Sequence, residues 1–193
     1  MIFDYLIDSF PNQIEIDEKV YEVNCDFKSI LRILALSEDE SFTEIERKVN
    51  ALRIFYKKES PSDVEKATTE MDLFIRCYQE IKTESKSREK AFDFQIDSMD
   101  IYSAFFQMYH IDLECSDMHW FKFQALFINI NDGRPNIMNK MAVRTTDISG
   151  MSSEQQVKYT KLKREYSLEE VESYADYEKR VMDAFVKKVG SDG

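Results

Sequence analysis

The sequence predicts a mainly α fold, a multi-helix bundle that carries one small β-hairpin near its N-terminus. Apolar residues recur three and four positions apart along most of the chain, which places them on one face of successive helices. Only 4 glycines and 3 prolines interrupt the 193 residues, too few for the many turns of a β-sandwich or barrel. Strict alternation of apolar and polar residues, the signature of a strand, is convincing only within residues 13–24.

The N-terminal elements follow from these patterns and from capping residues. Residues 13–24 are predicted to form the hairpin, and Asp26 then caps a short, mostly buried helix. Ser41 with Glu44, and Ser62 with Glu65, are spaced as capping boxes that open an antiparallel helix pair. The second helix of this pair is predicted to continue to residue 81.

The most aromatic-rich stretch of the chain, residues 91–130, is predicted to be a hairpin of two buried helices. Asp97 is the predicted N-cap of the first helix, and Ser116 or Asp117 that of the second. Burying each aromatic side chain contributes roughly 1.5–3 kcal/mol, so this hairpin supplies much of the driving force for folding. His119 and Trp120 fit it as packing residues whose ring N–H groups find acceptors.

Three further helices are predicted toward the C-terminus. A short one covers residues 137–143, and a second is opened by Ser152 with Gln155 or by Ser153 with Gln156. The last, over residues 168–189, is amphipathic, and its apolar stripe requires a partner surface, either the chain's own core or another subunit. The stripe supplies the predicted protein-binding residues Val171, Tyr174, Val181 and Phe185.

A wholly polar segment, residues 82–90, suggests a linker, although a solvated helix end has the same composition. It would divide the chain into an N-terminal helical region with the hairpin, residues 1–84, and a C-terminal helical region, residues 91–193. The alternative is one continuous domain.

Charge and cysteine content exclude several classes of function. The net charge of −11 opposes duplex DNA binding through phosphate neutralisation and suits a basic protein partner. The 3 cysteines are widely separated and form no CxxC pair, as in a reduced cytosolic protein. Acidic residues near the N-terminus argue against a signal peptide, and no apolar run reaches the length of a membrane span. We therefore expect a cytoplasmic protein without a membrane partner.

Metal binding and catalysis find little support in the sequence. His110, Cys115 and His119, completed by Asp112 or Asp117, lack the second ligand pair of a structural zinc site. An acidic group, formed by Asp93, Asp97 and Asp100, lacks the glycine and the final glutamate of a calcium loop. Phosphate-binding loops and nucleophile motifs are missing from the sequence. We expect no metal, no cofactor and no enzymatic activity.

Several sequence blocks resemble one protein family. The central hairpin contains FDF-x-x-D at 92–97, IYSAF at 101–105, Y-x-IDL at 109–113 and HW-x-KF-x-AL at 119–126. The C-terminal part adds VRTTDIS at 143–149 and KLKREYSL at 161–168. Together with the hairpin and helix that precede residue 37, these blocks are similar to the bacteriophage Gp15 family, found in tailed phages and prophages of Gram-positive bacteria.

The resemblance implies a non-enzymatic protein of phage tail morphogenesis, working in the cytoplasm of the bacterial host. Its implied role is that of a tail assembly chaperone, which covers the apolar stripes of the long helical tape-measure protein until tail-tube subunits replace it. Other tail assembly proteins are further possible partners, and self-association is open. The alternative is an acidic helical adaptor that binds a host or phage regulatory protein.

Overall fold

The computed structural model describes residues 3–79, 90–130 and 136–168. This part of the chain folds into a two-stranded antiparallel sheet followed by seven helices. The strands and helices, in chain order, are β1 (Gln13–Ile16), β2 (Lys19–Glu22), α1 (Phe27–Glu38), α2 (Glu44–Phe55), α3 (Val64–Ile75), α4 (Ser98–Tyr109), α5 (Trp120–Ile128), α6 (Asn136–Thr145) and α7 (Ser153–Glu165). The predicted fold class, mainly α with an N-terminal β-hairpin, is confirmed.

The β-hairpin forms where the alternating residues predicted it. Ile14 on β1 pairs with Tyr21 on β2, and both side chains are buried. Asp17 and Glu18 make the turn with φ angles of 49° and 63°, the left-handed backbone that a tight two-residue hairpin requires. The hairpin lies against α3, to which Asp17 is tied by an ion pair with Lys66 at 2.8 Å.

The start of α1 was predicted correctly, whereas that of α2 was not. Asp26 accepts the backbone N–H of Ser29, as expected of an N-cap. The capping box predicted for Ser41 with Glu44 is instead formed by Thr43 with Glu46, two residues later. The reason is that Ser41 already donates its backbone N–H and its hydroxyl to the carboxylate of Asp39 in the preceding turn.

The capping box predicted at Ser62 and Glu65 is also wrong, because Asp63 is the N-cap of α3. Its carboxylate accepts the backbone N–H groups of Glu65 and Lys66, a stronger interaction than a serine hydroxyl offers. The helix ends at Ile75, earlier than predicted, because the next turn enters left-handed backbone at residues 77 and 78. The last two residues of the predicted helix, 80 and 81, lie outside the described residues.

Neither Ser116 nor Asp117 caps α5, contrary to the prediction. The segment before the helix pairs in an extended conformation with residues 25–27. The backbone N–H of Phe27 donates to the carbonyl of Met118, and the backbone N–H of Trp120 donates to the carbonyl of Cys25. This pairing delays the helix until His119, whose Nδ1 accepts the backbone N–H of Phe121. The cap was missed because the pairing is long-range.

Aromatic side chains from three helices meet at the centre of the core. Phe123 of α5 stacks on Phe27 of α1 at 4.9 Å and on Phe105 of α4 at 5.0 Å. Trp120 is fully buried and donates its ring N–H to the carbonyl of Ile75 at 2.8 Å, as predicted for a packing residue with a polar handle. One hydrophobic cluster contains buried residues from Ile14 to Ile137, so described residues on both sides of the predicted linker belong to it. Residues 82–89 of that linker lie outside the described residues, and the two-region division stays a prediction.

Toward the C-terminus, α6 covers the predicted short helix, and α7 opens with the predicted capping box between Ser152 and Gln155. No residue of α7 is buried, and its main contact is with α6. The terminal helix predicted over residues 168–189, including all four predicted binding residues, lies outside the described residues except for Leu168.

Candidate protein-binding groove

An apolar groove of about 600 Å³ lies between α1, α2 and α3, and we call it the α1–α2–α3 groove. Its apolar lining consists of Ile33, Leu34, Ala51, Met71 and Ile75. Its polar lining consists of Ser37, Glu44, Arg47, Lys48, Thr68, Asp72 and Arg76. A groove of this size, with an apolar floor and charged edges, has the character of a specific binding site.

The groove follows from the way in which α2 and α3 pack. They run antiparallel, since the hydroxyl of Tyr56 at the end of α2 donates to the carbonyl of Ala67 near the start of α3. The C-terminal half of α1 forms the third wall. Ala51 stands at a buried position of α2 and contributes only a methyl group, so it leaves open part of the groove that a larger residue would fill.

One ion pair lies on the polar edge of the groove. Lys48 donates to the carboxylate of Glu44 at 2.6 Å, one helical turn earlier on α2. This hydrogen bond lowers the pKa of Glu44 and raises the pKa of Lys48. On the opposite wall, partial burial raises the pKa of Asp72. A ligand that excludes water from the groove would therefore meet fixed charges of both signs.

Two arginines of the groove form no ion pair with a carboxylate in the described part of the chain. Arg47 donates to the carbonyls of Asp39 and Phe42, both at 2.9 Å. Arg76 donates to the carbonyl of Asp72 at 3.1 Å. Carbonyls orient these guanidinium groups without neutralising them. Asp72 lies close enough to Arg76, and Glu44 to Arg47, to interact electrostatically, which offsets part of the two positive charges.

A second, more polar groove of about 910 Å³ lies on the other side of α1. Leu168, the last described residue, lines it together with Leu36, Ile54 and Ile96. The predicted binding residues Val171, Tyr174, Val181 and Phe185 follow directly in sequence but lie outside the described residues. Within the described chain, Leu168 thus places the start of the predicted C-terminal binding helix at this groove.

The candidate zinc ligands take separate roles. His119 donates from Nε2 to the carbonyl of Pro11 at 2.9 Å, and its ring stacks on Phe10. Burial lowers the pKa of His119. His110 is the exposed C-cap of α4, and Cys115 is also exposed. Among the described residues, no three His, Cys, Asp or Glu side chains are arranged to hold a metal ion.

The three aspartates around the start of α4, Asp93, Asp97 and Asp100, form ion pairs. Asp93 pairs with Lys90 at 2.7 Å, and Asp100 pairs with Lys140. Asp97 occupies the N-cap position as predicted, but its side chain makes no capping bond, so the predicted role is wrong. Its carboxylate binds Arg144 instead.

Sequence reasoning did not identify the α1–α2–α3 groove. Ile33, Ala51 and Met71 have the helical spacing of core residues, and they are indeed buried. The one available signal was Ala51, a small residue within a stripe of large ones, but a small residue indicates a groove only when the facing helix is known.

The comparisons with known proteins give one match. A family model described as "Bacteriophage Gp15 protein" matches residues 6–168, which include the whole groove and every helix described above. No curated protein and no solved structure matches the chain. Within the described residues, no helix is both long and apolar enough to cross a membrane.

Proposed function

Because the chain belongs to the bacteriophage Gp15 family, a family of phage structural and morphogenesis proteins not known as enzymes, we propose that it is a tail assembly chaperone. Its partner in this proposal is the tape-measure protein, bound in the α1–α2–α3 groove. The observation that supports the proposal is the groove itself, an apolar channel between three helices with charges of both signs along its edges.

The lining of the groove suits one face of an amphipathic helix. Such a helix presents apolar side chains at positions i, i+3, i+4 and i+7, and a groove between helices can take up this stripe. Met71 adds a polarisable side chain that adapts to ligands of different shape. A chaperone for a long helical chain needs this tolerance, since it must bind many similar segments instead of one unique sequence.

The net charge of −11 has a role in the same proposal. When a strongly acidic protein binds an aggregation-prone apolar chain, the resulting complexes carry like charges and repel one another. This repulsion keeps them in solution. The negative charge also steers the protein toward basic stretches of its partner, an effect on the association rate that salt weakens.

The test is co-expression with tape-measure fragments, followed by pull-down and measurement of the fragment that stays soluble. A Thr68→Trp variant places an indole in the groove. Thr69→Trp is the matched control, because Thr69 is the next residue on α3, has the same hydroxyl bond to a carbonyl four residues earlier, and does not line the groove.

We expect the wild-type protein and Thr69→Trp to retain the fragment in solution, and Thr68→Trp to lose it. Raising the salt concentration should slow association more than it weakens the complex. If no tape-measure fragment binds under matched conditions, the proposed function is wrong. If Thr68→Trp binds as well as the wild type, the binding site lies elsewhere on the protein.

A further inference from the structure

Two aliphatic side chains project into solvent near the N-terminus. Leu6 is 95% exposed and Ile7 is 82% exposed, the highest values among the large apolar residues of the described chain. They are adjacent and stand at the tip of a turn, which we call the Leu6–Ile7 knob. Single exposed apolar residues are ordinary, whereas two neighbours held together at a turn form one continuous apolar patch.

Hydrogen bonds fix the conformation of the knob. The carbonyl of Asp4 accepts the N–H groups of Ile7 at 3.2 Å and of Asp8 at 2.9 Å. The carboxylate of Asp4 accepts the N–H of Leu6, and the carboxylate of Asp8 accepts the N–H of Asp4, both at 2.8 Å. Because the turn is closed in four places, the two side chains are presented in a defined geometry.

Aromatic contacts anchor the chain on both sides of the knob. Before it, the ring of Phe3 packs edge-on against the ring of Phe121, with centroids 4.9 Å apart. After it, the ring of Phe10 stacks on His119 at 5.0 Å. The knob is thus attached to the core at each end, and its docking would cost little additional conformational entropy.

The charges beside the knob match those of the α1–α2–α3 groove. Asp4 and Asp8 flank the two aliphatic side chains, and neither forms an ion pair in the described part of the chain. The groove has an apolar floor, and its charged lining carries one more cation than carboxylates: Arg47, Lys48 and Arg76 against Glu44 and Asp72. Apolar surface and charge are therefore complementary between these two surfaces.

We infer that the Leu6–Ile7 knob of one copy docks into the α1–α2–α3 groove of a second copy of this chain. Leu6 and Ile7 enter the apolar floor, and Asp4 and Asp8 face Arg47 and Arg76. Knob and groove are neighbours on one molecule, since Tyr5 lines a small cavity together with Ile75 and Arg76, which also line the groove. A two-fold axis can therefore place each knob in the other copy's groove at once, which closes the assembly as a dimer.

This contact goes beyond the proposed chaperone function and does not depend on it. If both hold, the second copy covers the groove until a tape-measure segment displaces the knob, so self-association and fragment binding compete. Weakening the knob would then strengthen fragment binding, because less of the protein would have its groove covered.

The first test is sedimentation velocity across a range of concentrations, with the full chain. We expect the wild type to self-associate, and the double variant Leu6→Ser, Ile7→Ser to raise the dissociation constant at least about tenfold. Thr68→Trp should have the same effect from the groove side, and Thr69→Trp should have none. Val20→Ser removes an exposed aliphatic side chain elsewhere, on β2, and should also leave association unchanged.

The second test identifies the contact directly. In a Cys115→Ser background, which removes the exposed cysteine, an Ile7→Cys protein is mixed with a Thr68→Cys protein. With oxidised glutathione as the oxidant, we expect a disulfide between the two different copies in the mixture, and none when Thr69→Cys replaces Thr68→Cys.

A wild type that stays monomeric at every concentration would overturn the inference, whether the groove is then open or covered by residues 169–193. Self-association that neither the knob variant nor Thr68→Trp weakens would overturn it as well. Self-association through the knob without capture of any tape-measure fragment would support this inference and contradict the proposed function. The two can therefore fail separately.

Discussion

Arg144 and Asp97 form a buried ion pair in which two guanidinium nitrogens bind the two carboxylate oxygens. The distances are 2.6 Å from Nη1 to Oδ2 and 2.9 Å from Nη2 to Oδ1. Arg144 is 6% exposed and Asp97 is 1% exposed. The pair joins α6 to the beginning of α4 across 47 residues of sequence.

The same arginine also satisfies backbone carbonyls of two other segments. Arg144 donates to the carbonyl of Ala91, ahead of α4, and to that of Tyr166, just after α7. The carboxylate of Asp97 accepts a further N–H from Asp93. Both members of this buried pair thus have additional hydrogen-bond partners, as the burial of charge requires.

Removing one partner of this pair should leave a buried charge without compensation. We expect Arg144→Met to lower the free energy of unfolding by about 3–5 kcal/mol. The exposed pair between Lys58 and Glu22 is the control, and Lys58→Met should lower the free energy of unfolding far less than Arg144→Met does. Denaturant unfolding measures both variants.

The double variant Asp97→Asn, Arg144→Met should lose less free energy of unfolding than the sum of its single variants. Simple additivity would show that the two groups do not interact.

Trp120 is expected to be a major contributor to stability. Trp120→Ala should lower the free energy of unfolding by about 3–5 kcal/mol, because it removes a fully buried side chain and leaves a cavity. Phe106 is the control, since it is 53% exposed on α4 and its replacement by alanine should cost less than about 1 kcal/mol. Chemical denaturation of both variants makes the comparison. A small loss for Trp120→Ala would mean that its surroundings close over the cavity.

His119 should make stability depend on pH below neutrality. Nε2 faces a carbonyl and Nδ1 faces a backbone N–H, so the folded protein holds the neutral ring with its proton on Nε2. Burial lowers the folded-state pKa below the ordinary value of about 6.5, and protonation of Nδ1 would break the cap of α5. As the pH falls, the unfolded chain therefore binds a proton at a higher pH than the folded protein does. The stability that this histidine contributes above pH about 6.5 is then lost.

Denaturant unfolding between about pH 7 and pH 5 measures this effect. We expect His119→Asn, which preserves a capping acceptor, to show a smaller loss of stability over that interval than the wild type. Equal slopes for His119→Asn and the wild type would assign the pH dependence to other groups.

The predicted C-terminal binding stripe can be tested by substitution within the full chain. If residues 168–189 contribute to partner binding, Tyr174→Glu with Phe185→Glu should weaken capture of tape-measure fragments severalfold. Titration of a labelled fragment measures the change, and circular dichroism verifies that the variant is folded. Unchanged capture would show that this apolar stripe does not contribute to fragment binding.

Much of the fold could be predicted because its cues are local. The hairpin, the Asp26 cap and the Ser152 capping box depend on residues within a few positions of one another. Periodicity likewise places Phe27, Phe105 and Phe123 on buried helix faces. Local hydrogen bonds and side-chain spacing are sufficient for such features.

Two errors arose where a distant segment competes for the same group, whereas the wrong starts predicted for α2 and α3 came from the nearby acidic residues Asp39 and Asp63. Asp97 has the position and chemistry of an N-cap, yet its carboxylate binds an arginine 47 residues away. His119 caps α5 because the preceding residues pair with the chain near Cys25. A capping pattern describes only residues that are close in sequence, so it does not include a partner that comes into contact after folding.

The sequence alone determined the helical class, the hairpin, the aromatic core and the resemblance to a phage family, since all of these are recorded in composition, spacing and short motifs. Only the tertiary structure decided that Ala51 leaves space between three helices, that two arginines lie beside that space with no salt bridge in the described chain, and that Leu6 and Ile7 project from an anchored turn. These features depend on which surfaces face one another after packing, and that information is carried by no single stretch of the chain.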